Sequence, residues 1–122
     1  MSRILVVEDT PDNRQILRDL LTSVGYELIE AVDGLTGVAA AAEHRPDLIL
    51  MDIELPEIDG YEATRRIKAN PDTAGIPVIA VTSYALSGDD EKARAAGCDG
   101  YIAKPYSPRA LLAKVRDFVP PP

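Results

Sequence analysis

The chain has 122 residues, 46% hydrophobic and 27% charged, which suits one domain with a single core. Thirteen basic against twenty acidic residues leave a net charge of −7, the wrong sign for displacing counterions from nucleic-acid phosphate. No apolar run approaches the roughly 20 residues of a membrane helix, no secretory leader precedes Ile4, and one cysteine, Cys98, excludes an internal disulfide. The expectation is a soluble cytoplasmic protein.

The first apolar run, Ile4 to Val7, reads as a strand covered on both faces. Ile16, Leu17, Leu20, Leu21 and Val24 then follow helical spacing, with Gly25 as the stop. Tyr26 to Ala31 is a weaker, more mixed strand, of the kind found at a sheet edge. Ala-rich Val38 to Glu43 favours helix. Asp47 to Met51 is a second strongly apolar strand. Tyr61, Thr64, Ile67 and Lys68 predict a third helix that ends by Asn70, because Pro71 follows.

Val78 to Val81 is again continuously apolar, and Leu86 to Ala96 predicts a fourth helix closed by Gly97. Its only large apolar side chain is Leu86, so it is weakly anchored and suited to move. Gly100 to Ala103 is a second mixed strand. Ser107 then caps a fifth helix that opens on Pro108 and carries Leu111, Leu112, Val115 and Phe118. Strict βα alternation implies parallel strands and right-handed crossovers, hence a three-layer α/β/α sandwich over residues 1–119. Pro120-Pro121-Pro122 reads as a frayed tail or the start of a linker.

Such a sheet binds ligands beyond the carboxyl ends of its strands. Glu8 and Asp9 follow the first strand, Asp52 the third, Thr82 and Ser83 the fourth, and Lys104-Pro105 the fifth. Three acids, a hydroxyl and a cation thus meet at one edge. Two carboxylates about 4 Å apart repel by roughly 4 kcal/mol at an effective dielectric of 20. Either their pKa values rise or a divalent cation neutralises them. Oxygen-only donors favour Mg²⁺ or Mn²⁺ over zinc. Lys104 adds a second positive charge and Thr82 a donor, so the chemistry that fits is phosphoryl transfer onto a carboxylate.

Val7-Glu8-Asp9, Leu50-Met51-Asp52-Ile53-Glu54-Leu55-Pro56, Asp59-Gly60, Val81-Thr82-Ser83 and Tyr101-Ile102-Ala103-Lys104-Pro105 together resemble the receiver domain of bacterial two-component response regulators. The resemblance implies a flavodoxin-like (βα)5 fold with sheet order 2-1-3-4-5. It implies Asp52 as phosphoacceptor, fed by a histidine kinase or histidine phosphotransfer protein. Glu8, Asp9, Asp52 and the Glu54 backbone carbonyl would hold Mg²⁺, with Mn²⁺ able to substitute. Thr82 and Lys104 would contact phosphoryl oxygens, Tyr101 would be the aromatic switch, and the Lys104–Pro105 bond would be cis. Glu8 stands where Asp is frequent, and Ser83 where a small apolar residue is frequent.

Ile76 to Asp89 looks most like stand-alone cell-division-type regulators, or receivers cut from hybrid histidine kinases. Nothing after Phe118 could form an output domain. The implied action is therefore a phosphorylation-dependent change in protein affinity at the face of the fourth helix, fifth strand and fifth helix. Such a protein is not an enzyme acting on a separate substrate, although it assists its own phosphorylation and dephosphorylation. Two rivals fit worse. A haloacid-dehalogenase-type phosphatase places its metal acids after the nucleophile, and a flavin carrier needs a phosphate loop where Glu8-Asp9 would repel one.

Overall fold

Alternation along three central strands sorts apolar side chains onto two faces. In the computed structural model, which describes residues 2–83 and 89–120, Leu5, Val7, Ile49, Met51, Val78 and Ala80 pack on one side. Ile4, Val6, Leu48, Leu50, Ile79 and Val81 pack on the other. The strands are β1 (Arg3–Val7), β2 (Glu27–Ala31), β3 (Leu48–Asp52), β4 (Val78–Thr82) and β5 (Gly100–Ala103). All neighbouring pairs are parallel, in the order β2-β1-β3-β4-β5. The two mixed strands are the edges, as expected.

The helices are α1 (Pro11–Ser23), α2 (Gly34–His44), α3 (Gly60–Ala69), α4 (Asp89–Ala96) and α5 (Pro108–Arg116). Leu17 and Leu21 of α1 join Leu111 and Val115 of α5 in one core layer. Ala41, Ala63, Ile67 and Ala93, from α2, α3 and α4, build the other. Each leucine or isoleucine so buried contributes about 1.5–3 kcal/mol. Leu86, the expected anchor of the fourth helix, lies outside the described residues. Among the described residues no helix is long and apolar enough to cross a membrane.

Several strand ends move by one residue from the sequence expectation, and three helix ends differ more. Helix α1 begins at Pro11, a full turn before its first apolar stripe residue Ile16, because a first-turn proline loses no hydrogen bond there. Helix α2 begins at Gly34 rather than Val38: Asp33 and Thr36 form a reciprocal capping box, with Thr36 N–H donating to Asp33 Oδ1 at 2.8 Å. Helix α5 ends at Arg116, before Phe118, which still packs on the core.

Register decides where the polar residues arrive. Val7 pairs with Met51, Asp52 with Val81, and Thr82 with Ala103. Strand ends β1, β3, β4 and β5 are therefore nearly flush. Past them the ladder continues: Glu8 N–H donates to Ala31 O at 3.1 Å and Ile53 N–H to Val81 O at 3.0 Å.

Candidate functional site

Four charged side chains converge just beyond those ends. Carboxylate oxygens of Glu8, Asp9 and Asp52 all lie within 4.8 Å of one another. Lys104 Nζ stands 3.3 Å from Glu8 Oε1 and 3.4 Å from Asp52 Oδ1. Glu8 and Asp52 are buried, and Asp9 is exposed. The Lys104–Pro105 peptide that follows β5 is cis.

Local sequence explains the placement of Asp52. Asp59 caps α3, accepting the Glu62 N–H at 2.9 Å. Gly60 N–H donates to Ile53 O at 3.0 Å, drawing the start of α3 onto the end of β3. A Cβ at Gly60 would collide with the Asp52 carbonyl. The Asp59-Gly60 pair thus lets a helix start pack directly against the backbone that carries the central acid. The Glu54 N–H donates to Asp52 Oδ1 at 3.1 Å, fixing the carboxyl.

The electrostatics follow from crowding. Burial, reinforced by the hydrogen bond and charge of Glu8, pushes the Asp52 carboxyl up to about 7 against the opposing pull of Lys104 and the Glu54 N–H. Burial also presses upward on Glu8. The hydrogen bond from Asp52, the Thr10 N–H and the Lys104 charge outweigh it and hold Glu8 below its ordinary value. Asp9 is raised, first by desolvation and then by Glu8. Burial alone would depress Lys104, but Asp52 and Glu8 reverse that and raise it. The pair Glu8–Asp52 thus shares one proton near neutral pH, and Lys104 stays charged.

Thr82 reaches the same edge and is buried. Its Oγ1 donates to Glu54 Oε2 at 2.9 Å, and the Ser83 N–H donates to Glu54 Oε1 at 2.6 Å. The resemblance implies a role for the Glu54 backbone carbonyl alone, and this side-chain clasp lies beyond it. Tyr101 is not part of the acid cluster. It stands two residues before Ala103 on β5, opposite Ala80, and lines a small cleft of about 170 Å³ with Ala93, Arg94 and Cys98. Tyr84 lies outside the described residues. Beside the site opens a cavity of about 520 Å³, lined by Asn13, Ile16, Ser83, Lys104, Pro105 and Tyr106.

Sequence reasoning also passed over Arg14. Its Nη1 donates to the carbonyls of both Glu8 and Asp9, at 3.0 and 3.1 Å. The only signal was its place one turn into α1, five residues after Asp9. His44 is the last residue of α2 and lies 3.8 Å from Glu43. Cys98 is buried with its sulfur 3.8 Å from the Thr64 hydroxyl.

Comparison with known proteins agrees with this arrangement. The model of the response regulator receiver domain matches residues 4–116. The polar-differentiation response regulator DivK of Brucella anthropi is 44% identical over 116 residues, covering 95% of this chain and 94% of that protein. DivK of Brucella ovis is 43% identical over the same share. The receiver domain of the sensor histidine kinase PA1611 of Pseudomonas aeruginosa, solved with magnesium in its active-site cleft, superposes with a TM-score of 0.89. It shares 40% identity over 96% of both chains. Vibrio cholerae CheY4 superposes with a TM-score of 0.92 at 27% identity, over 98% of this chain and 99% of that one. With five parallel strands in the order 2-1-3-4-5 and an acid cluster beneath a lysine at their carboxyl ends, this chain belongs to the response regulator receiver domain family.

Proposed function

We propose that residues 1–119 form a two-component signalling switch in which Asp52 takes a phosphoryl group from a phosphohistidine on a histidine kinase or histidine phosphotransfer protein. The observation that carries this reading is the convergence of Glu8, Asp9 and Asp52 with Lys104 at 3.3–3.4 Å from two of them. An ionised Asp52 oxygen bonds to phosphorus as the phosphorus–nitrogen bond breaks, and the departing imidazole nitrogen keeps the electron pair. Lys104 balances charge that accumulates on the acceptor side, and the Glu54 N–H keeps one Asp52 oxygen oriented.

The cluster also fits a small hard cation. All its donors are oxygens, and ligands on opposite sides of Mg²⁺ stand about 4.2 Å apart, so a group spread over 4.8 Å needs little contraction. Glu8, Asp9, Asp52 and the Glu54 carbonyl would hold it. When bound, Mg²⁺, or Mn²⁺ in its place, supplies the charge that offsets carboxylates and phosphoryl oxygens together. A cytoplasmic setting, where kinase and nucleotide meet, agrees with this chemistry.

The direct test is label from a phosphohistidine donor. The parent chain takes up one equivalent in Mg²⁺, none in EDTA, and Asp52→Asn takes up none. Undiminished labelling of Asp52→Asn, or persistence in EDTA, overturns the reading.

The donor has to approach past the cavity beside the site. Ile16 there is 56% exposed although apolar, and Ser83 and Lys104 belong to cavity and site alike. A phosphohistidine-bearing protein that reaches Asp52 covers this side chain. Ile16→Gln is expected to slow transfer from the protein donor about fivefold, the effect of roughly 1 kcal/mol of lost apolar burial. Transfer from acetyl phosphate stays unchanged, and an equal slowing with both donors removes Ile16 from docking. The partner response is assigned to α4, β5 and α5, with Thr82 and Tyr101 as the residues that transmit it.

A further inference from the structure

A carboxylate cluster is only as good a cation site as the backbone that presents it, and here one cation outside the cluster holds that backbone. Arg14 Nη1 donates to two successive carbonyls, Glu8 O at 3.0 Å and Asp9 O at 3.1 Å. The Arg14 side chain is 17% exposed, and its Nε lies 3.8 Å from Glu30 Oε1 on β2. Glu30 is itself gripped by Arg18, whose Nε and Nη2 donate to its two oxygens at 2.8 Å. The Glu8 N–H is also tied to Ala31 O of β2, next to Glu30, and the Thr10 N–H donates to Glu8 Oε2 at 3.2 Å.

We infer that Arg14, steadied by Glu30, is a positioning residue for the cation site: it fixes the two peptide planes from which the Glu8 and Asp9 carboxylates project. This assignment rests on the Mg²⁺ reading above and deepens it. The reason lies in the cost of order. The β1–α1 loop carries one exposed acid, Asp9, and like charges at Glu8 and Asp52 push it away. Without a clamp the loop would have to be ordered during binding, and affinity would fall accordingly. Outlying partners that orient metal-binding groups typically change affinity 10- to 100-fold.

Charge and position make opposite claims, which renders the proposal sharp. If Arg14 acted only as a nearby positive charge, its removal would tighten Mg²⁺ binding, because one repulsive neighbour disappears. If it positions the loop, its removal loosens binding. The double variant Arg14→Gln/Glu30→Gln removes one positive and one negative charge, so the net charge stays constant while the clamp is lost.

The experiment titrates the full chain with Mg²⁺ by calorimetry at fixed ionic strength, and follows exchange of the Thr10 amide in EDTA. The double variant is expected to bind Mg²⁺ about tenfold more weakly and to exchange the Thr10 amide faster, with β3 and β4 amides unchanged. Arg14→Lys keeps the charge and loses the fork, with an expected three- to fivefold weakening. It decides the matter should the double variant fail to fold. A folded variant with unshifted Mg²⁺ affinity overturns the role of Arg14 alone. A parent chain that shows no Mg²⁺ saturation overturns the cation reading, and the purpose assigned to Arg14 with it.

Discussion

Asp52→Asn is expected to make the metal-free protein more stable at pH 8 by about 2–4 kcal/mol. In the folded state Asp52 titrates at about 7, against an ordinary 3.8, because it is buried beside Glu8. The folded chain therefore holds a proton that the unfolded chain releases across this interval, and the stabilisation present below it is lost as pH rises toward about 7. That interval corresponds to about 4 kcal/mol. The opposite displacement of Glu8 offsets part of it. Asparagine keeps an oxygen for the Glu54 N–H and places a permanent donor toward Glu8, so it imitates the protonated acid at every pH.

Urea unfolding in EDTA at pH 5, 6, 7 and 8 checks the expectation. The parent loses up to about 1.4 kcal/mol per pH unit below 7 and then levels off, while Asp52→Asn stays flatter over that range. Saturating Mg²⁺ restores the parent and leaves the variant nearly unmoved, since a ligand stabilises only a state that binds it. Parallel profiles for the two proteins would show that Asp52 carries no such burden.

The fold was legible because its signals are cooperative. Continuous apolar runs at β1, β3 and β4 state that both faces are covered, and the mixed runs at β2 and β5 fall at the edges. The start of α2 was not, since Gly34 and Gly37 read against helix. Their reason is contact: a Cβ at Gly37 would press on Val7, and one at Gly34 on Ile58. Short side chains at strand ends were equally readable, because a strand end and a two-bond side chain leave little choice of direction. Glu54 and Arg14 escaped for the converse reason. Their long side chains reach partners on other elements through rotamers that no sequence period encodes.

The clasp of Glu54 changes the energetics of switching and leads to the second large expectation. Counting Thr82 and Lys104 as one new charged hydrogen bond each gives about 3–6 kcal/mol, which only at its upper end reaches the roughly 5.5 kcal/mol needed to swing an equilibrium from 1:99 to 99:1. Yet the Thr82 hydroxyl and the Ser83 N–H already donate to a carboxylate, at 2.9 and 2.6 Å. A phosphoryl oxygen that takes the Thr82 hydroxyl exchanges one charged acceptor for another, so the net gain is far below a full bond. Glu54 also repels the incoming dianion. Glu54→Gln keeps the shape and weakens the acceptor. It is expected to favour the phosphorylated arrangement by about 1.4 kcal/mol, read as about tenfold tighter binding of fluoroberyllate, a tetrahedral stand-in for the phosphoryl group, in Mg²⁺. Glu54→Ala removes the carboxylate that both donors share and is expected to match or exceed that gain. If both variants bind the analogue as the parent does, the phosphoryl oxygens do not draw on the donors that Glu54 holds, and the switch has to be driven through Lys104.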